Sequence, residues 1–123
     1  MTREGRLVIP TFTDSILRSI ASESVLALGR EALGIEAVQE RIPLEGFLAG
    51  VRSGAITEAG GFGTAAVVSP VGAYVFDDGK ELEVAGGRIG PHTRRIYELV
   101  SGMQRGLRPA PAGWLFKAPR LAG

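Results

Sequence analysis

The residues best suited to chemistry lie in a glycine-rich run, Gly60-Gly61-Phe62-Gly63-Thr64-Ala65-Ala66, which is followed by apolar β-branched residues. Glycine lets the backbone take positive φ and lets a ligand approach bare N–H groups. A threonine hydroxyl followed by small residues suits a turn that holds an anion through one O–H and several amides. The run therefore predicts an anion-binding turn at Thr64. The alternative is a glycine-rich bend between two strands that binds no ligand.

A second interpretation of the same run is a nucleotide-binding domain. Gly61-x-Gly63-x-x-Ala66 fits the pattern G-x-G-x-x-G/A, which holds a pyrophosphate only where a helix follows it. The following segment, Val67 to Phe76, is rich in β-branched and aromatic residues and predicts a strand. This interpretation fails if a strand follows Ala66.

The remaining polar residues give little support for catalysis. His92 is the only histidine and cysteine is absent, so neither a zinc site of the usual kind nor a Ser-His-Asp triad is indicated. His92 stands at a predicted helix start, where a histidine is more often exposed or caps a neighbour. Glu81, Glu83, Arg94 and Arg95 are expected on solvated faces. The sequence therefore predicts no catalytic residue and no metal ligand.

Composition limits the class of protein. The chain has 123 residues, 14 basic and 13 acidic, for a net charge of +1. This balance gives no electrostatic case for binding nucleic acid or an anionic membrane. The longest mostly apolar stretch is shorter than the roughly 20 residues of a spanning helix, and the N-terminal residues lack the apolar core of a signal peptide. We expect a soluble protein located in the cytoplasm.

The elements that would position the turn are mixed α and β in a single unit, residues 1–123. Apolar periodicity and turn residues predict the following order: a strand at 7–9 stopped by Pro10, a helix capped by Ser22 and ended by Gly34, a strand at 35–42, a helix from Leu44 ended by Gly54, a strand at about 65–76, a hairpin turn at Asp77-Asp78-Gly79, a returning strand at 80–84, and a helix from Gly90-Pro91 to Gly106. Trp114, in the tail, is expected to cover the core.

Four blocks of this sequence resemble class IV pyridoxal-phosphate aminotransferases, the branched-chain type in particular. The stretch 57–72 resembles their E-x-x-x-x-G-T-A-A-x-x-x-P-V block, and 40–44 resembles E-R-x-(I/L). The stretch 89–106 resembles G-P-x-T-x-x-(L/I)-Y followed by T/S-G-x-Q-x-G, and Gly113-Trp114 resembles the closing G-W. The resemblance covers about Gly5 to Phe116. It implies an α+β fold, a mixed sheet or pseudo-barrel with about three helices, like an incomplete C-terminal large domain of that class.

The resemblance also implies site residues. Thr64 would bind the phosphate of pyridoxal 5′-phosphate through its hydroxyl and N–H, and the amides of Gly63, Thr64 and Ala65 would face the substrate carboxylate. The second phosphate turn of the family, G-(V/I)-T-R, falls on Ser19-Ile20-Ala21-Ser22, where the threonine is replaced by Ala21. There the N–H groups of Ile20 and Ala21, and the hydroxyl of Ser22, are the expected phosphate ligands.

The family uses a Schiff-base lysine that precedes the region of resemblance. The only lysines here, Lys80 and Lys117, match no such position. The first hypothesis is therefore a branched-chain aminotransferase fragment, inactive alone. The intact enzyme would move an amino group from a branched-chain amino acid to 2-oxoglutarate through pyridoxal phosphate. Homo-oligomers such as the family's dimers, or a complementary N-terminal half, are the expected partners. The second hypothesis is a non-catalytic phosphate-binding or assembly module with the same fold.

Overall fold

A computed structural model describes residues 1–65 and 67–120, and Ala66 and residues 121–123 lie outside the described part. The secondary-structure elements are β1 (Leu7–Pro10), α1 (Ile20–Glu31), β2 (Ala37–Glu40), α2 (Leu44–Ser53), β3 (Gly60–Gly63), β4 (Val67–Pro70), β5 (Ala73–Val75), β6 (Glu81–Glu83) and α3 (Pro91–Gln104). The α+β class and the expected number of helices are confirmed for these residues.

The N-terminal part is a strand–helix–strand unit. β1 and β2 pair in parallel, with Leu7 opposite Ala37, and α1 makes the crossover between them and packs on both. Parallel strands need such a crossover because a tight turn can only reverse the chain. Leu7, Val25 and Ala37 are buried together in the main core cluster. β2 (Ala37–Glu40) is shorter at both ends than the strand predicted at 35–42.

Two antiparallel hairpins complete the strands. β3 pairs with β4, and β5 pairs with β6 across the predicted turn at Asp77–Gly79. The described residues therefore form three two-stranded sheets, and a pseudo-barrel stays a prediction. The single strand predicted at 65–76 is wrong, because β4 and β5 belong to different sheets and are separated by Val71 and Gly72.

The start of α1 differs from the sequence prediction. Ser19, not Ser22, is the N-cap, and its hydroxyl accepts a hydrogen bond of 3.2 Å from the Ser22 N–H. Serine at this position satisfies one of the N–H groups that the first helical turn leaves without a partner. Ser22 is instead buried within the helix. Two serines three residues apart offer the same capping chemistry, and the structure uses the earlier one.

α2 follows the prediction closely and ends at Gly54, whose φ is +72°. Left-handed backbone at a helix end favours glycine, which has no Cβ to clash. Gly46 and Gly50 lie inside the helix, and their surroundings differ. A Cβ on Gly46 would meet no atom within 4 Å, whereas a Cβ on Gly50 would lie 2.8 Å from Ile56 Cδ1. Of the two, only at Gly50 would an added Cβ displace a neighbouring side chain.

This difference yields a first prediction. Gly46→Ala should raise the free energy of unfolding by about 0.5–1 kcal/mol, because alanine loses less backbone freedom on helix formation. Gly50→Ala, in the same helix, is the matched control and should give a smaller gain or a loss, since the side chain of Ile56 must shift to admit the methyl group. Urea unfolding followed by circular dichroism measures both. Equal effects of the two substitutions would contradict the packing difference.

α3 begins at Pro91, as predicted, and its buried face carries Ile96, Leu99 and Met103. Leu99 and Met103 pack with Leu28 of α1 in a second, smaller cluster. Trp114 does not cover the core: 42% of its surface is exposed. The prediction for Trp114 is wrong because residues 105–120, the described part of the tail after α3, form no helix or strand that would hold it in place.

Candidate functional site

The glycine-rich run forms one strand and the tip of the β3–β4 hairpin. Gly63 pairs with Val67, and Thr64 and Ala65 lie in the turn between the two strands. Thr64 and Ala65 are exposed at this tip, and Gly63 is half-buried. No hydrogen bond engages the Thr64 hydroxyl within residues 1–65 and 67–120. The predicted anion-binding residues are thus brought together on an accessible turn.

Backbone conformation at this turn is strained. Val67, the first residue of β4, has a φ of +56°. The left-handed region is unfavourable for a β-branched residue, and such strain persists only where neighbouring structure holds it. On the two strands that flank the turn, Phe62 and Val68 lie opposite one another. Val68 belongs to the main core cluster, and Phe62 packs against that cluster. The turn is therefore held by a packed hairpin.

A strand after the turn also decides the nucleotide-binding interpretation. The dinucleotide fingerprint needs a helix at this point, but residues 67–70 form β4. That interpretation is wrong. Ala66, the last residue of the fingerprint, lies outside the described residues.

The residue that sequence reasoning missed is Glu58, which precedes β3 and is 4% exposed. Its carboxylate accepts hydrogen bonds from the Thr93 N–H at 2.8 Å, the Thr93 hydroxyl at 2.7 Å and the His92 N–H at 3.1 Å. It therefore caps the N-terminus of α3, where negative charge is favourable. Burial raises the pKa of Glu58, but these hydrogen bonds lower it more, so the net pKa lies below the ordinary range. The only sequence signal was its place in the 57–72 block.

Gly90 makes this contact possible. A Cβ on Gly90 would lie 2.1 Å from the Glu58 Cδ, which is much shorter than any contact between non-bonded atoms. His92 follows in the first turn of α3, and its ring Nδ1 is buried with no hydrogen-bond partner among the described residues. His92 thus contacts Glu58 through its backbone N–H.

The second predicted phosphate turn is the N-terminus of α1. Ile20 and Ala21 hold the first two helical positions, whose N–H groups have no partner inside the helix. Ile20 is 81% exposed, and Ala21 is half-buried. Ser22 is buried and its N–H is taken by Ser19. Arg18, just before the helix, forms an exposed ion pair with Glu23 in the first turn.

The two predicted turns lie on adjacent elements, because α1 packs against β3. The lysines lie elsewhere. Lys80 is at the β5–β6 turn, with its ammonium 2.7 Å from the Asp78 carboxylate, and Lys117 is exposed in the tail. In the described part of the chain, no cluster of His, Cys, Asp or Glu is arranged to hold a metal ion. None of its helices has the length and apolar character needed to span a membrane.

A separate feature is an apolar cavity of about 520 Å³. Its wall includes Val8, Ile42, Phe47, Phe62 and Tyr74. The predicted site residues are absent from its lining, so the anion-binding turns and the cavity are different features of the molecule.

The similar sequences and the similar structures among known proteins are of the same kind. No family profile matches the chain. A probable branched-chain-amino-acid aminotransferase of Staphylococcus epidermidis is 34% identical over 116 residues, which is 94% of this chain and 32% of that protein. The structure of the Escherichia coli branched-chain amino acid aminotransferase superposes with a TM-score of 0.75 at 32% identity, covering 94% of this chain and 35% of that one.

A third match is the branched-chain amino acid aminotransferase of Thermobaculum terrenum in its PLP form, with a TM-score of 0.65 and 31% identity. It covers 85% of this chain and 31% of that one. The fold and the sequence together place the chain among the homologues of aminotransferases. Within that class it is homologous to the branched-chain-amino-acid aminotransferases, and it spans about a third of the length of the relatives it matches.

Proposed function

We propose that this chain is the phosphate- and carboxylate-binding part of a pyridoxal-phosphate aminotransferase that acts on branched-chain amino acids and 2-oxoglutarate. The observation that carries the proposal is the Gly63-Thr64-Ala65 turn, exposed at the tip of a packed hairpin in a chain homologous to such enzymes. The cofactor, when bound, supplies the electron sink for amino transfer. The pseudo-barrel of the family would be completed by polypeptide outside these residues.

The described residues suit such a ligand in two places. The Thr64 hydroxyl, free of other hydrogen bonds in the described part, would donate to the cofactor phosphate, and the amides of Gly63, Thr64 and Ala65 would bind the substrate carboxylate. The N–H groups of Ile20 and Ala21 would donate to the phosphate at the positive end of the α1 dipole. Ser22 would add its hydroxyl only with a shift in side-chain position, because the residue is buried.

The proposal assigns no catalytic residue to this chain. Lys80 is paired with Asp78 at a turn of another sheet, and Lys117 is in the exposed tail. Amino transfer then needs a lysine from polypeptide outside these residues, and this chain alone is inactive. We place the working protein in the cytoplasm, as a homo-oligomer or with a complementary N-terminal half.

A second candidate is a non-catalytic phosphate-binding or assembly module with the same fold. It is favoured by Ala21, which removes the side-chain hydroxyl at the second phosphate turn, and by the burial of Ser22 beside it. The two candidates differ in whether the carboxylate-binding function of the first turn is used.

Titration with pyridoxal 5′-phosphate, followed by borohydride reduction and intact mass, tests the proposal. We expect saturable binding without a covalent adduct, and competition by inorganic phosphate. Thr64→Val should weaken the apparent affinity roughly tenfold or more, because a hydrogen bond to a charged group is lost. Thr11→Val, at another exposed threonine, is the matched control and should not change it.

Each other outcome has a definite meaning. An adduct on Lys80 or Lys117 would contradict the assignment of the lysine to another segment. Absence of binding, or equal binding by wild type and Thr64→Val, would remove the phosphate site. Binding of phosphate alone, with no effect of a branched-chain keto acid on cofactor affinity, would favour the non-catalytic module.

A further inference from the structure

The N-terminal cap of α3 comes from a distant segment instead of a neighbouring residue. Gly90 is the N-cap residue and provides no side-chain hydrogen bond. The Glu58 carboxylate accepts the bonds instead, from the His92 N–H and from the N–H and hydroxyl of Thr93. A serine, threonine, asparagine or aspartate at the N-cap would satisfy the helix locally. The distant cap does more than a local one, because it also fixes the position of Glu58 relative to α3.

Glu58 lies at the base of the hairpin whose tip is the Gly63-Thr64-Ala65 turn. The carbonyl of Ala59, the next residue, accepts a hydrogen bond of 2.9 Å from the Val71 N–H, which continues the pairing of β3 with β4. The pairing therefore runs without a break from Ala59 to the turn. Because a paired hairpin moves largely as one body, a shift at its base also moves its tip.

The hairpin also packs between the two other long elements of the site. β4 contacts α3, where Val68 and Ile96 share the main core cluster, and β3 contacts α1, whose first residues are Ile20 and Ala21. Apolar packing is non-directional and tolerates small shifts, whereas hydrogen bonds fix both distance and angle. For the turn and the start of α1 to bind one phosphate, their separation must be held within hydrogen-bonding range. The bonds of Glu58 are the directional contacts that hold the hairpin base.

We propose that Glu58 is a positioning residue: by holding the base of the β3–β4 hairpin against α3, it sets where the Gly63-Thr64-Ala65 turn lies relative to the N-terminus of α1. The inference rests on the proposed function for the ligand that the turn binds. Burying a carboxylate is costly unless its hydrogen bonds are satisfied, and Glu58 meets this condition with three donors. Glu58 acts through the turn and is assigned no contact with the ligand.

Two substitutions of Thr93 test the proposal while Glu58 stays in place. Thr93→Val removes the hydroxyl that lies 2.7 Å from the Glu58 Oε2, and Thr93→Ser keeps that hydroxyl and removes a methyl group. Thr93 is buried, so both variants should unfold at lower urea concentrations than the wild type. They are compared under conditions in which circular dichroism shows both to be fully folded.

The first measurement needs no ligand. We expect the NMR amide signals of the Gly63-Thr64-Ala65 turn to shift in Thr93→Val and to stay near their wild-type positions in Thr93→Ser. A residue that contributed only to overall stability would leave these signals unchanged in both folded variants. Glu58→Gln should shift the same signals, and Glu83→Gln, at an exposed glutamate of β6, should not.

The second measurement is the affinity of the same variants for pyridoxal 5′-phosphate. Thr93→Val and Glu58→Gln should each weaken it about tenfold, because the turn no longer lies at hydrogen-bonding distance from the phosphate. Thr93→Ser and Glu83→Gln should stay within about twofold of the wild type.

The outcomes distinguish this inference from the proposed function. Shifted turn signals in Thr93→Val, in a chain whose wild type does not bind pyridoxal 5′-phosphate, uphold the positioning role and remove the proposed function. If the wild type binds, turn signals or an affinity in Thr93→Val that match those of Thr93→Ser overturn the positioning role and leave the proposed function in place. If the wild type does not bind and the turn signals do not shift, both are overturned.

Discussion

Replacing Glu58 with alanine is expected to lower the free energy of unfolding by about 3 kcal/mol. The substitution removes an acceptor that holds the Thr93 N–H, the Thr93 hydroxyl and the His92 N–H at the start of α3. Two of these groups belong to the buried Thr93 and would be left without a partner away from water. Chemical unfolding followed by circular dichroism measures the loss.

The control is Glu83→Ala, which removes an exposed glutamate from β6 and should change stability by less than about 0.5 kcal/mol. The loss in the free energy of unfolding caused by Glu58→Gln should lie between the losses caused by Glu58→Ala and Glu83→Ala. Its amide retains one acceptor oxygen but presents an NH₂ group to a backbone N–H. A loss no larger than that of Glu83→Ala would show that the cap contributes nothing to the fold.

The same carboxylate gives stability a dependence on pH. Because the folded protein holds the Glu58 pKa below its ordinary value, the contribution is fully present above the unfolded glutamate pKa of about 4.3. It is lost as pH falls through the lower folded pKa. The stability difference between wild type and Glu58→Gln should therefore be constant near neutrality and shrink in acid. A difference that grows in acid would contradict the direction of the shift.

Gly90→Ala is expected to destabilise the protein by about 2–4 kcal/mol. The added methyl group would overlap the Glu58 side chain, since the Cβ position is 2.1 Å from Glu58 Cδ and 2.3 Å from Oε2. The side chain of Glu58 must then leave the helix N-terminus, and its three hydrogen bonds are lost with it. Thermal and urea unfolding of the purified variant measure the effect.

A double-mutant cycle separates this cause from a general effect of alanine at Gly90. In the Glu58→Ala background the obstructing side chain is gone, so Gly90→Ala should cost less than about 1 kcal/mol. Gly46→Ala, where a Cβ meets open space, is the comparison for glycine replacement without a clash. Additive losses from Glu58→Ala and Gly90→Ala would mean that the two residues do not act through one contact.

Local signals in the sequence predicted the parts of the fold that local chemistry determines. The turn at Asp77–Gly79, the left-handed end of α2 at Gly54 and the start of α3 at Pro91 are all as expected. Each depends on one or two residues whose backbone preferences leave few alternatives. The predicted anion turn likewise lies at a real turn, although the glycines before it extend into β3.

Features that depend on distant contacts could not be predicted in this way. The break between β4 and β5 occurs inside a continuous apolar run, because the two strands pair with different partners. Ser19 and Ser22 have the same capping chemistry, and the burial of Ser22 decides between them. Trp114 is 42% exposed, because residues 105–120 form no helix or strand that would hold it against the core. Glu58 acts on residues 34 and 35 positions later, a relation that no periodicity contains.

The cap that Glu58 provides also links the dynamics of two regions. Amide protons in the first turn of a helix exchange rapidly with solvent unless something outside the helix holds them. Here the N–H groups of His92 and Thr93 are held by a carboxylate from the segment before β3, so these protons exchange only when that segment and the start of α3 separate. Hydrogen–deuterium exchange at these two amides thus reports the docking of the segment before β3 onto α3.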